Sequence, residues 1–230
     1  MNRSLIIASA IVALGLSLLG LFVKWGIDNF SYRDRIVTVR GLAERTVEAD
    51  FVTWPMSYGV AGNDLPALYD RMQNLNQKVV SFLTTNGIED KDISVNPPSL
   101  YNSESNYYSG DRAKYQYNLS VTITVSTSKV AKVRELQSRL SELLKEGVAI
   151  NTNYVSYEFT HLNDIKPEMI AEATKNARLA ADQFANDSQS KLGKIKTASQ
   201  GQFSIDDTDA NTPQTKKVRV VSSVVFYLED

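Results

Sequence analysis

An uncharged, mostly apolar run lies near the start of the chain, and beyond it apolar residues recur either at every second position or at every third and fourth. The run from Leu5 to Val23 carries no charge over 19 residues, with Arg3 before it and Lys24-Trp25 after it. That length is at the short end for crossing a bilayer and exceeds the apolar region of an ordinary cleaved signal. No small-x-small cleavage site follows it, and Ala8-Ser9-Ala10 lies too early to serve as one. Trp25 suits the boundary between lipid and water. The pattern predicts an uncleaved signal anchor over residues 1–25, with a cleaved signal peptide as the rival reading. Basic residues stand on both sides, Arg3 on one and Lys24, Arg33 and Arg35 on the other, so charge does not set the orientation. Residues 26–35, polar and mixed in charge, read as a tether.

Past the tether, alternating and helical stretches take turns. Ile36-Val37-Thr38-Val39 predicts a strand closed by Gly41, and Val52, Trp54, Met56, Tyr58 and Val60 predict a second strand with one heavily apolar face. Gly62-Asn63-Asp64 interrupts the alternation, and Asn63 or Asp64 is placed to cap a helix. That helix carries Leu65, Leu68, Met72, Leu75, Val79 and Phe82 and stops at Gly87. Ile93 and Val95 begin a strand that meets Pro97-Pro98, which confines it to a sheet edge. Asn102 to Lys114 is polar, with Tyr107-Tyr108 and Gly110 at the expected tip of a hairpin. Tyr115, Tyr117, Leu119, Val121, Ile123 and Val125 then alternate without a break against polar residues. Val130, Val133, Leu136, Leu140 and Leu143 predict a helix ending at Gly147, and Val155, Tyr157 and Phe159 one more strand.

The stretch from Lys166 organises the remainder. Pro167 lacks an N–H and suits the first turn of a helix. Ile170, Ala173, Ala177, Ala180, Ala181 and Phe184 recur at three- and four-residue steps, a mostly alanine stripe that lets the helix axis lie very close to whatever it covers. Gly193 is the expected left-handed stop, followed by a strand from Ile195 to Phe203, the acidic loop Asp206-Asp207-Thr208-Asp209 and a closing strand from Val218 to Leu228. The predicted class is α+β. From about residue 51 to 160 the order strand-helix-strand-strand-helix-strand is the split βαβ of ferredoxin-like sheets. The N-terminal strand, the long Ala-rich helix and the last two strands extend it. In that topology the strand with Pro97 is an edge and the strand with Pro55 is interior, so a bulge or local break is expected at Pro55.

Charge and composition then narrow the chemistry. Twenty-five basic against 26 acidic residues leave a net charge of −1, which argues against a nucleic-acid binder. With no cysteine, disulfides, thiol nucleophiles and Cys-ligated metals are excluded. His161 is the only histidine and stands in no nucleophile-elbow motif. Asp207-x-Asp209-x-Asn211 imitates the start of a calcium loop, but Thr212 and Val218 occupy the places where Gly and Glu are needed. Lys191, Lys194 and Lys196 form a small basic group near a helix end, where cations favour the dipole. Tyr101, Tyr107 and Tyr108 sit in a polar stretch with little local core to join, and exposed tyrosines are enriched at interfaces. They are the expected interaction residues. No catalytic, cofactor-binding or metal-ligating residue is assigned.

The order of these segments resembles the SIMPL-domain family. Val37-Thr38-Val39-Arg40-Gly41, then Thr46-Val47-Glu48-Ala49-Asp50 and the strand to Val60, look like its opening. Asn176-Ala177-Arg178-Leu179-Ala180-Ala181 and Leu192-Gly193-Lys194-Ile195 resemble its Ala/Lys-rich helix and Leu-Gly-Lys turn, and Val218 to Leu228 its closing strand. The resemblance spans roughly Ile36 to Leu228, nearly all of the domain at residues 36–230 beyond the tether. It departs from the family in Leu42-Ala43-Glu44-Arg45, where relatives are often richer in Gly and Ser, and in keeping an apolar amino terminus. The resemblance implies a bacterial envelope location, commonly periplasmic, oligomeric or ring-like assemblies in some members, and an association with stress responses. It brings no catalytic residues. The expected function is therefore that of a non-catalytic envelope protein acting as a homo-oligomer or through an envelope protein partner, without cofactor, metal or nucleic acid. The expected location is the inner membrane, crossed once through residues 5–23, with the soluble domain in the periplasm. A small-ligand binder or enzyme whose site does not show in the sequence is the alternative.

Overall fold

The computed structural model describes residues 3–31, 35–103, 114–152 and 154–229. In chain order the first elements are α1 (Arg3–Ser31), β1 (Ile36–Glu48), β2 (Phe51–Gly62), α2 (Leu65–Thr85), β3 (Ile93–Val95), β4 (Ser99–Asn102) and β5 (Tyr117–Thr127). There follow α3 (Val130–Ser138), α4 (Leu140–Lys145), β6 (Ile150–Thr152), β7 (Ser156–Glu158) and α5 (Leu162–Asp187). The chain closes with β8 (Lys191–Gln200), β9 (Ser204–Asp207) and β10 (Thr215–Glu229). The architecture is α+β, with antiparallel sheets and a long helix. Two compact units divide the chain, one of residues 1–45, 163–204 and 218–230, the other of residues 46–162 and 205–217.

In the second unit, an antiparallel sheet runs in the order β3-β5-β2-β6, with β4 also against β5 and β7 also against β2. Trp54, Met56 and Tyr58 of β2 and Val121, Ile123 and Val125 of β5 point to one face of it. That face meets Leu68, Met72, Val79 and Leu83 of α2, Val133 and Leu136 of α3 and Leu143 of α4. Asp64 caps α2, its Oδ1 accepting from the Ala67 N–H at 3.3 Å, while Asn63 accepts from the Gln116 N–H instead. Inside the core the Tyr58 hydroxyl donates to Asn76 Oδ1 at 2.7 Å, which satisfies two polar groups that water does not reach.

The expected break at Pro55 is absent. Pairing with β5 runs unshifted from Val52↔Thr127 to Gly62↔Tyr117, through Pro55↔Thr124. The irregularity falls on the other neighbour: β7 pairs with residues 51–53 and β6 with residues 57–58, so the gap between them lies opposite the residue that cannot donate. Pro97-Pro98 likewise splits the opposite edge strand into β3 and β4, in agreement with the expected edge position. The single helix expected over residues 130–147 is two, broken at Arg139, and β6 and β9 are strands that the alternation of apolar residues did not mark.

The first unit rests on the close approach foreseen for the long helix. β1 does not end at Gly41; it continues to Glu48 in the sheet β1-β10-β8. A Cβ placed on Gly41 would overlap the Ala173 carbonyl oxygen and the Ala177 nitrogen and lie 2.9 Å from the Ala173 carbonyl carbon. Glycine is therefore required because the backbone of α5 crosses there. Asn176 completes the contact by donating to the Leu42 carbonyl at 2.8 Å. Met169, Ala173, Ala177, Ala181 and Ala185 are buried, whereas Ala180 is half-buried and Phe184 is 59% exposed. Steps of four drift by about 40° each around a helix, so this stripe slants, as suits a helix crossing a twisted sheet.

The ends of α5 also differ from expectation. It starts at Leu162, so Pro167 lies inside the helix and forfeits one backbone bond. It stops at Gln189, which has φ 55°, with the Ser190 N–H returning to the Ala185 carbonyl at 2.8 Å and the Gln189 N–H to Asn186 at 3.1 Å. Gly193 belongs to β8, where a side chain would press on the Tyr227 carbonyl 3.0 Å away.

Candidate interaction surface

In the second unit, the sheet face away from the helices has an unusual make-up. Along β2 it presents Phe51, Thr53, Pro55, Ser57, Gly59 and Ala61, and along β5 Asn118, Ser120, Thr122, Thr124 and Ser126. The register adds Ser94 of β3 beside Thr124, Ser99 and Tyr101 of β4 beside Ser120 and Asn118, and Ser156 of β7 beside Thr53. A charged residue, Glu158, stands only at the end next to Phe51. Near the centre, Ser57 Oγ and Thr122 Oγ1 share a hydrogen bond of 2.7 Å. These side chains are half-buried or exposed. Exposed sheet faces ordinarily carry charges that keep them in water.

Tyr101, expected at an interface, lies on the margin of this face and is 51% exposed. Tyr107 and Tyr108 lie outside the described residues. The alternation of β2 and β5 is plain in the sequence, but that their polar positions share one face follows only from the register.

A second polar cluster joins residues far apart in sequence. Asp50, in the turn between β1 and β2, accepts from the Thr160 N–H at 2.9 Å, the Thr160 hydroxyl at 2.8 Å and the His161 N–H at 3.2 Å. His161 Nδ1 lies 2.6 Å from Asp50 Oδ2. Burial pushes the Asp50 carboxyl up, but the His161 ring, the Thr160 N–H, its hydroxyl and the His161 N–H together hold it below its ordinary value. The lone histidine is thus engaged at a strand-to-helix joint, and a separation of 111 residues left no local signal for its partner. A carboxyl held low stabilises the fold above its unfolded value, near pH 3.9, and loses that contribution as pH falls through its folded value. Replacing Asp50 by Asn should therefore cost about 1.5–3 kcal/mol at pH 7, the worth of a hydrogen bond to a charged group. In thermal melts, the gap between wild type and variant should narrow as the solution is acidified below pH 4.

Other expected features resolve into structure. Asp209 accepts from the N–H groups of Asn211 and Thr212, at 2.7 and 2.9 Å, and from the Thr212 hydroxyl, so its carboxylate closes its own turn. Asp207 pairs with the ammonium of the buried Lys216. Lys191, Lys194 and Lys196 fall on β8, with Lys196 5.5 Å from the Tyr227 ring centre. Among the described residues no cluster of three or more His, Asp or Glu side chains could hold a metal ion. An open groove of about 540 Å³ runs between α2 and α4, lined by Lys78, Phe82, Asn86, Arg139 and Glu142 among others. Arg139 there is committed to Glu142 at 2.8 and 3.0 Å and to Asn86 at 2.8 Å, a clamp between helices.

An α+β chain with two antiparallel sheets, a close-packed alanine helix and an uncharged sheet face defines a structural class. The family model described as SIMPL, protein of unknown function (DUF541), matches residues 37–226, and the chain belongs to that family. A comparison with curated proteins finds no match.

Among the described residues, no helix is long and apolar enough to cross a membrane. The side chains described in α1 are those of Ser9 and residues 11–27, whereas the uncharged run of the sequence begins at Leu5.

Proposed function

We propose that the chain is a membrane-tethered, non-catalytic envelope protein whose folded part works by assembling, with its own copies or with a protein partner. The observation that carries this reading is the surface of α1. Ile11, Val12, Leu14, Leu16, Leu18, Leu19, Leu21, Phe22 and Val23 are all exposed, and successive positions at about 100° per residue put apolar groups on every side. A helix apolar all round needs apolar surroundings, and the uncharged run from Leu5 fits the hydrocarbon layer. At about 1.5 Å per residue, the 19 uncharged residues from Leu5 to Val23 reach about 28 Å, at the short end for a hydrocarbon core of about 30 Å. Placement of the folded part in the periplasm, on a single span of the inner membrane, and a link to envelope stress follow the family resemblance.

Light scattering of the full chain in mild detergent tests the assembling role. Protein mass at a multiple of 25.6 kDa, or an envelope protein held after crosslinking, is expected. A chain that remains at 25.6 kDa across concentrations and holds no envelope protein would overturn it.

A further inference from the structure

We infer that the uncharged face of β2 and β5 is the surface on which the chain docks against a second copy of itself, face to face. This rests on the reading of the folded part as an assembling one, and it assigns the surface and the occupant. Three observations converge on that occupant.

The first is charge. In a chain with 22% charged residues, β2, β3, β4 and β5 contribute no charge to this face, and Glu158 of β7 stands at its end. A partner recognised by charge would need an opposite field, and none is offered. Two identical faces of either net sign would repel; two uncharged faces do not.

The second is hydrogen bonding. The face is rich in Ser and Thr, and a hydroxyl both donates and accepts. A hydroxyl row laid on its own copy can be satisfied by rotating its protons, whereas a row of carboxylates, which only accept, cannot. The Ser57–Thr122 pair already shows such an exchange across the two strands. A contact of a face with itself is isologous, so a twofold axis passing near Ser57 and Thr122 would bring each residue close to its own copy.

The third is size and shape. Pairing of β2 with β5 is unshifted over its whole length, so no bulge interrupts the centre of the surface. β2 and β5, 12 and 11 residues long, with the three- and four-residue strands β3, β4, β6 and β7 beside them, at about 3.3 Å per residue and about 4.8 Å between strands, give a face of about 600 Å². Two such faces bury about 1,200 Å², the lower end of specific interfaces. That suits a contact strengthened by holding both copies on one membrane, where effective concentration is high. Tyr101 at the margin supplies an aromatic rim.

The chain has no cysteine, so a single one can report the contact. In the full chain in detergent micelles, Thr122→Cys should form a disulfide band at twice the chain mass on oxidation, and Ser81→Cys, on the exposed side of α2, should not. High salt should leave the Thr122→Cys band unchanged, because no ion pair holds the contact. Ser57→Glu with Thr122→Glu, checked for folding by circular dichroism, should lower the mass of the assembly, whereas Ser57→Ala with Thr122→Val should not. If Thr122→Cys stays monomeric on oxidation while the unmodified chain has the mass of an oligomer, assembly stands and this face is wrong. A disulfide to a different envelope protein would overturn the self-contact. A wild-type chain that is monomeric in light scattering and captures no partner sinks both this inference and the assembling role it rests on.

Discussion

Gly41→Ala is expected to destabilise the first unit more than any other single methyl group. The added carbon would meet the main chain of α5 at Ala173 and Ala177, and backbone cannot swing aside as a side chain does. Relief requires the whole helix to lift from β1, which opens space around Val39, Ala181, Val224 and Phe226. The expected cost is about 3 kcal/mol, the upper end for overpacking, or a fall of roughly 6–12 °C in melting temperature for a chain of this size. Ala177→Leu presses on the same contact from the helix side and should cost about 1–3 kcal/mol. Thermal melts followed by circular dichroism decide this, and an unchanged melting temperature for Gly41→Ala would mean that α5 does not lie on β1 in solution.

The second large effect is expected at α1. Leu14→Arg with Leu18→Arg places two guanidinium groups one turn apart on a helix that is uncharged from Leu5 to Val23. Each arginine near the centre of a span costs about 2.5–3.5 kcal/mol in insertion, so the pair should remove about 6 kcal/mol. The variant should leave the membrane fraction almost completely. The fold of residues 36–229 should be untouched, since the leucines replaced are exposed. Retention of the variant in the membrane to the wild-type level would show that α1 does not hold the chain there.

What was legible in the sequence follows the range of the forces involved. Period-two and helical spacing located β2, α2, β5 and α5, because a buried face must repeat with its element. Pro97-Pro98 marked an edge correctly for a local reason, the missing donor. Where two distant segments compete, local signals misled. Gly41 read as a strand end, yet its lack of a side chain serves the crossing of α5, more than 130 residues later. Gly193 read as a helix stop, yet the turn is closed by Gln189, held in the left-handed region by two returning N–H groups. Pro55 read as a break, and the sheet accommodated it by breaking the neighbouring strand instead. The uncharged face and the Asp50–His161 pair are products of register and of chain return, and no window of the sequence contains either. Tyr101 is conspicuous in the sequence as an aromatic in a polar stretch, but its place at the margin of that face comes from its register with Asn118.

Whether a folded assembling domain is held to a membrane by its own amino-terminal helix is decided by recovering the chain from cells and weighing it. Membranes washed with alkaline carbonate should retain the protein in the pellet, at an intact mass near 25.6 kDa that includes the run from Leu5 to Val23. Recovery of the protein in the soluble fraction, shortened by about 20–30 residues at its amino terminus as after signal cleavage, would contradict it.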